Sequence, residues 1–250
     1  MEEIMRSSIV AVALAASALG GTACAQSAPA ASAVIAAAVA DSARPAADTA
    51  RDANRKPAET VAFEGVRPGA KVAELAPGGG YFTRVIAKTV GTTGKVYALV
   101  SPAQAQRPGG LDAINALAAQ YGNVTVTPTD YTAMTLPEKV DVVWTTENWH
   151  DFSNAGTTPG IAKAAFDALK PGGVFYVQDH SAPGTGTSAT QTLHRIDPAA
   201  VIAVLTAAGF VVDAQSSHLA NPADDHTAAV RDGSVQGRTD KFAIRFRKPA

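Results

Sequence analysis

The stretch 71-KVAELAPGGGYFTRVIA-87 sets how the rest of this chain is read. A short apolar run carries the acid Glu74, glycines stand at 78, 79 and 80, and Phe82, Val85, Ile86 and Val90 then recur at helical spacing. The pattern predicts a strand, a tight turn and a helix. Glycine suits such a turn because it accepts backbone angles that a side chain resists. It also leaves the helix N-terminus, with its free N–H groups and dipole, open to a ligand. The turn is therefore the expected ligand site.

Outward from this unit, helix and strand patterns alternate. Before it, residues 51–59 are densely charged, and Arg51 and Arg55 lie four apart, on one face of a helix. That face reads either as a solvated surface or as an arginine clamp over the glycine turn. After it, 95–100 predicts a second strand, 111–121 a helix, 123–127 a third strand and 140–145 a fourth. Residues 161–169 predict a helix stopped by the Pro-Gly-Gly at 171–173, and 174–178 a fifth strand. A helix opened by Pro198, a short strand at 210–212 and a final strand at 241–247 complete the series. Continuous apolar strands separated by helices imply a doubly wound α/β sheet, mostly parallel, with an antiparallel final strand. In such a sheet ligands bind beyond the carboxyl ends of the strands.

The chain has 250 residues, is 46% hydrophobic and 17% charged, and has a formal net charge of −1. It is long enough for one full core and carries no charge run that would suggest nucleic acid as a partner. A small-molecule substrate is the expectation. Arg6, the apolar run 9–19 and the small residues closing at Ala23-Cys24-Ala25 predict a cleavable signal peptide over residues 1–25, with Met5 as the natural start and a periplasmic or secreted destination. The run is too short to span a membrane. Cleavage would remove Cys24, the single cysteine, and with it any disulfide or thiolate chemistry. Residues 26–50 are rich in alanine and read as a tether or a marginal helix, with 33–41 able to dock.

The strand ends gather Glu74 and the glycine turn, Val100-Ser101, Asp130, Glu147 through Asp151, and Asp179-His180-Ser181. The segment from Glu74 through Pro77 to Gly80 resembles the first motif of class I S-adenosylmethionine-dependent methyltransferases. Asp130 after the third strand and the Leu169-Lys170-Pro171-Gly172-Gly173 loop are similar to later motifs of that superfamily. The resemblance runs over residues 51–248 in order. Within the superfamily the chain most resembles an exported bacterial group of predicted methyltransferases, on Arg51-Asp52, Arg55-Lys56-Pro57, Pro77 to Tyr81, His150-Asp151, Asp179-His180-Ser181, His194 to Asp197 and Gly237 to Asp240. Dehydrogenase turns space their glycines as G-x-G-x-x-G, whereas here they are contiguous.

What the resemblance implies is a Rossmann-like transferase that takes S-adenosylmethionine as cofactor. Glu74, Ala76, Gly78, Gly79 and Gly80 would line the turn side of the donor, and Tyr81, Ser101, Asp130 and Glu147 the rest of its site. His150, Asp151 and His180 are the catalytic candidates on the acceptor. One position departs from the pattern: Val100-Ser101 stands where an acid is expected to accept the ribose hydroxyls. With the export signal, this motivates an alternative, an exported protein that keeps the fold but binds another ligand or uses a His/Asp metal centre. His150, His180 and His194 each have a carboxylate nearby in sequence, which suits Zn(II), Fe(II) or proton transfer. No tight His-x-x-His spacing supports a metal, so a metal centre is the less favoured expectation. Tyr81 and Trp149 read as pocket walls or as core. His218 and His226 fall in a polar loop with no expected role. Arg195, Arg238 and Asp240 are expected to pair among themselves or with Arg51 and Asp52.

Overall fold

The structure is a computed structural model that describes residues 28–250; the expected signal peptide lies outside the described residues. Among the described residues, seven strands form one sheet: β1 (Lys71–Leu75), β2 (Lys95–Val100), β3 (Val124–Pro128), β4 (Val140–Thr146), β5 (Leu169–His180), β6 (Val211–Ser216) and β7 (Lys241–Arg247). Their order is β3-β2-β1-β4-β5-β7-β6. Strands β1 to β5 pair in parallel, and β7 runs antiparallel between β5 and β6. The doubly wound sheet with an antiparallel final strand is therefore the observed fold. The order reverses between β1 and β4, which puts the switch-point crevice at the glycine turn.

The helices are α1 (Ala28–Val39), α2 (Ala46–Thr49), α3 (Asp52–Arg55), α4 (Pro57–Glu64), α5 (Tyr81–Val90), α6 (Pro102–Ala105), α7 (Asp112–Tyr121), α8 (Trp149–Asn154), α9 (Thr158–Ala168), α10 (Thr190–Leu193) and α11 (Pro198–Ala207). Successive strand residues point to opposite faces, so two cores form. Val72, Val96, Val142, Trp144 and Tyr176 pack under α1, α4, α5 and α7. Ala73, Leu99, Val143, Phe175, Ile244 and Phe246 pack under α9 and α11. Burial on both faces is why these strands read as unbroken apolar runs.

Of the two readings of the alanine-rich segment, tether or docking helix, the described residues form the helix: α1 packs on α4 and α5, with Ile35 and Ala38 buried at 3% and 1% exposure. Two other expectations shift. Residues 170–173 do not end before the fifth strand but bulge within it. The β4 register jumps there from Val140 opposite Leu169 to Val142 opposite Val174, and Gly172, at φ 75, turns the bulge. The sixth strand extends to Ser216 because β7 pairs along it, a partner that a local pattern does not reveal.

Candidate functional site

The carboxyl ends of β1, β4 and β5 carry a continuous row of charged side chains. At one end, Glu74 is buried at 3% exposure and accepts a 2.6 Å hydrogen bond from Thr83 Oγ1. Burial raises its carboxyl to about 7, against the smaller opposing effects of Thr83 and the Arg55 charge. Beyond it the chain turns through Ala76, Gly78 and Gly80 at φ 50, 58 and 82. The two successive glycines differ in use. A Cβ on Gly79 would meet nothing within 4 Å, whereas one on Gly80 would lie 2.3 Å from Leu117 Cδ1. Gly79 thus borders open space and Gly80 permits close packing of the turn on α7. Gly80 also caps α5 without any side-chain bond, which leaves its first N–H groups to other partners. Asn148 Nδ2 donates to the carbonyls of Ala76 (3.3 Å) and Thr146 (2.7 Å) and so ties the turn after β1 to the turn after β4.

The arginines of α3 and the residue before it lie over this turn. Arg51 and Arg55 sit 4.8 and 4.7 Å from the centroid of the Tyr81 ring, an arrangement in which cation–π attraction adds to ion pairing. Tyr81 Oη donates to Asp52 (2.6 Å), which also pairs with Arg44 at 2.6 Å. Burial resists the Asp52 charge, but Arg44 and Tyr81 outweigh it and lower the carboxyl. Asp48 bridges Arg51 (2.7 Å) and Arg84 (2.9 Å). The clamp geometry is present, with Arg44 and Asp48 as members that the sequence reading missed. Arg44, Asp48 and Asp52 repeat every four residues, the spacing that would have exposed them.

Arg55 continues the row by pairing with Glu147, whose other oxygen lies 3.1 Å from Lys241 Nζ. Burial works against the Glu147 charge, yet Arg55, Lys241 and His180 hold its carboxyl well below the ordinary range. Glu147 takes φ 59, a left-handed conformation that strains a side-chain-bearing residue.

At the far end stands a histidine cluster. Asp179, fully buried, accepts from His150 N and His150 Nδ1, both at 2.8 Å, and from His180 N at 2.8 Å. A carboxylate only accepts, so Nδ1 of His150 carries the proton and Nε2 is free to act. Burial disfavours a charged His150 ring, but Asp179 and the charges of Asp151 and Glu147 raise it overall. His180 differs: burial lowers it to about 4, and its Nδ1 is occupied by Thr239 Oγ1 at 2.8 Å. His194 arrives from the other side. Ile196 N donates to His180 O at 2.9 Å and Ala182 N to Ile196 O at 3.0 Å, a short parallel bridge that draws residues 194–197 against the end of β5.

Glu74, Tyr81, Glu147, His150, Asp151 and His180 are thus gathered along one edge. Ser101 and Asp130 are engaged elsewhere. Ser101 Oγ accepts from Gln104 N and caps α6, and exposed Asp130 caps its own turn through Thr132 N and Oγ1. Tyr81 and Trp149, at 4% and 1% exposure, are core residues rather than open walls. The expected pairing of Arg195, Arg238, Asp240, Arg51 and Asp52 is corrected throughout. Arg195 pairs with buried Asp224 (2.8 Å), Asp240 with His226 (2.9 Å), Arg51 with Asp48, and Arg238 donates to Ser234 O. The partners of Arg195 and Asp240 lie 29 and 14 residues away, separations that local spacing does not reveal. His218 bonds Thr60 Oγ1 at 3.0 Å and, like His226, holds loops in place.

The residues fit a nucleoside-type donor at the turn, where Gly79 borders open space and the N–H groups of α5 are uncapped. They fit it less well at β2, which ends without a carboxylate. No protein-family model and no curated protein matches the sequence. Solved structures do match in fold. A SAM-dependent methyltransferase from Aquifex aeolicus aligns over 80% of this chain and 93% of its own, at 17% identity and TM-score 0.59. The glycopeptide N-methyltransferase MtfA, solved with S-adenosylmethionine, aligns over 78% and 87%, at 18% identity and TM-score 0.55. The [4+2]-cyclase SpnF aligns over 82% of each chain, at 17% identity and TM-score 0.58. The chain has the class I methyltransferase fold, one on which a cyclase is also built.

Proposed function

We propose that this protein is an S-adenosylmethionine-dependent methyltransferase acting on a small acceptor. The observation that carries the reading is the open glycine turn at the switch point, directly beside the charged row that ends in the His150–Asp179 dyad. Gly78, Gly79 and the first N–H groups of α5 would face the donor's amino-acid portion, with Arg51 and Arg55 nearby for its carboxylate. Ser101 and Asp130 lie at the ends of β2 and β3, where the nucleoside would extend. The donor would supply an activated methyl group, so the protein's task is alignment more than activation. His150, with its orientation set by Asp179, would position the acceptor's nucleophile.

Calorimetry with S-adenosylmethionine tests this, with Gly79→Val, whose side chain would enter the open space, as the control expected to lose binding. Absence of binding at millimolar donor overturns the reading. The missing ribose acid predicts a weak wild-type affinity, because one absent charged acceptor is worth about 1.5 to 3 kcal/mol, or roughly one to two decades. Ser101→Asp keeps the α6 cap, since aspartate caps as well as serine, and should recover part of that affinity.

The second reading, a methyltransferase-fold protein with another ligand, draws on the same Ser101 position and gains if the donor fails to bind. We also propose export through residues 1–25. Mass spectrometry of the periplasmic protein should find Gln26 as its N-terminus, and an intact leader there would refute this. Among the described residues no helix is long and apolar enough to cross a membrane.

A further inference from the structure

We propose that His150 Nε2, His194 Nδ1 and one carboxylate oxygen of Asp151 form a binding site for a first-row divalent transition metal, with Zn(II) the best match. The donor atoms of these three residues all lie within 4.8 Å of one another. One oxygen of Asp151 stands 3.5 Å from His150 Nε2 and 3.7 Å from His194 Nδ1. Both separations exceed a good hydrogen bond. They come close to the spacing of ligands around an ion. With metal bonds of about 2.0 to 2.1 Å, neighbouring corners of a tetrahedron are about 3.3 to 3.4 Å apart. Two imidazole nitrogens and a carboxylate, with a fourth position left open, are the ligand set of many catalytic zinc sites.

Three further features hold the cluster ready. Asp179 binds the other nitrogen of His150 at 2.8 Å, the arrangement that fixes a metal-bound imidazole's orientation and tautomer. Thr190 Oγ1 donates to Asn154 Oδ1 at 2.6 Å and locks α10, which ends just before His194, to α8, which carries His150 and Asp151. His194 takes φ 54 immediately after α10, a position where glycine is the unstrained choice. The imidazole is thus kept at a backbone cost, as functional side chains often are. His180 lies outside the group of donor atoms that come within 4.8 Å of one another, and its Nδ1 bonds Thr239 Oγ1.

The consequence for the acceptor rests on the methyltransferase reading above. An acceptor hydroxyl on the open metal position would lose its proton to solvent more readily. Its oxygen would then form the new bond to the methyl carbon as the carbon–sulfur bond breaks, with the electron pair returning to sulfur. Metal binding itself does not depend on that reading.

The test is a Zn(II) titration of chelator-treated full-length protein against a competing chromogenic chelator, repeated with Co(II) and read by its d–d absorption. One equivalent bound, with a four-coordinate Co(II) spectrum, is expected. His194→Ala and Asp151→Asn should each weaken binding at least tenfold, and Asp179→Asn about tenfold to a hundredfold through the orientation of His150. His226→Ala, at the half-buried His226–Asp240 pair, should leave binding unchanged. No stoichiometric binding by the wild type, or equal binding by His194→Ala and Asp151→Asn, overturns the proposal. Donor calorimetry on the same preparations separates the two readings. Metal without donor leaves this site standing and removes the transferase, whereas donor without metal does the reverse.

Discussion

Replacing Glu74 with glutamine should remove a pH-dependent weakness from the fold. In the native chain this carboxyl is buried beside one hydroxyl and rises from 4.5 to about 7. At about 1.36 kcal/mol per pH unit, that change penalises the charged form by about 3 kcal/mol. The sign follows from proton counting. Below 4.5 both folded and unfolded chains hold the proton and nothing is lost. Between 4.5 and about 7 the folded chain keeps a proton that the unfolded chain releases, so stability falls as pH rises, and above about 7 the full penalty applies. Glutamine has the same shape and its carbonyl still accepts from Thr83. Its extra N–H group costs about 1 to 3 kcal/mol if it finds no partner, but by the same amount at every pH. The informative quantity is therefore the slope. Between about pH 5 and about pH 8 the wild type should lose about 2.5 kcal/mol relative to Glu74→Gln, which is the integrated linkage over that window. Urea unfolding at constant ionic strength, with m held common, measures it. Parallel stability curves for the two proteins across that range would refute the assignment of Glu74 as the buried, proton-binding acid.

Glu147 should behave in the opposite sense in the same assay. Its carboxyl is depressed, so its stabilisation is present above 4.5 and lost as pH falls. Glu147→Gln leaves Arg55 and Lys241 without their counter-charge and should cost about 3 kcal/mol at neutral pH, with the gap closing in acid; a gap that stays constant down to about pH 3 contradicts the ion-pair account. Gly80→Ala should destabilise by about 1 to 2 kcal/mol for its left-handed backbone and by about 1 to 3 more for the approach to Leu117. Gly79→Ala should change stability by less than about 0.5 kcal/mol; thermal melts of the pair that show equal losses would remove the distinction between a packing glycine and a cleft glycine. Arg195→Met strands the buried Asp224 and should cost about 3 to 5 kcal/mol, most of it recovered when Asp224→Asn is added. Additive losses in that double-mutant cycle would show that the two do not act as a pair.

How far the sequence shows all this depends on the range of the interaction. The parallel sheet is legible because each buried strand carries its own apolar run, and the glycine turn because 78–80 stand between a strand and a helix. The clamp was half visible: Arg51 and Arg55 share a face by helical spacing, but their meeting with Tyr81 depends on α3 folding back over α5. His150 and His194 lie 44 positions apart, and the link between them is made by Thr190 with Asn154 and by the Ser181–Ile196 bridge, neither of which has a periodic signature. That is why a search for short histidine spacings misses the cluster. Ser101 and Asp130 show the reverse limit. Both hold the expected positions at strand ends, yet their side chains cap local turns.

The two acids of the cleft also bear on what the turn would bind. Glu74 has one neutral donor and the distant influence of Arg55, and near pH 7 it is half protonated; Glu147 has two cations in contact and stays ionised. A ligand that brings positive charge to the glycine turn therefore acts on Glu74, the group able to change state, and favours its ionised form. S-adenosylmethionine carries a sulfonium and an ammonium group, so under the proposed function its binding below about pH 7 would release a proton from Glu74. Affinity should then rise by about tenfold per pH unit up to that point and level off above it. Calorimetry in buffers of different ionisation enthalpy counts the released proton directly. Glu74→Gln should bind the donor with neither the slope nor the proton release, and a variant that keeps both would place the titrating group elsewhere and take Glu74 out of the donor site.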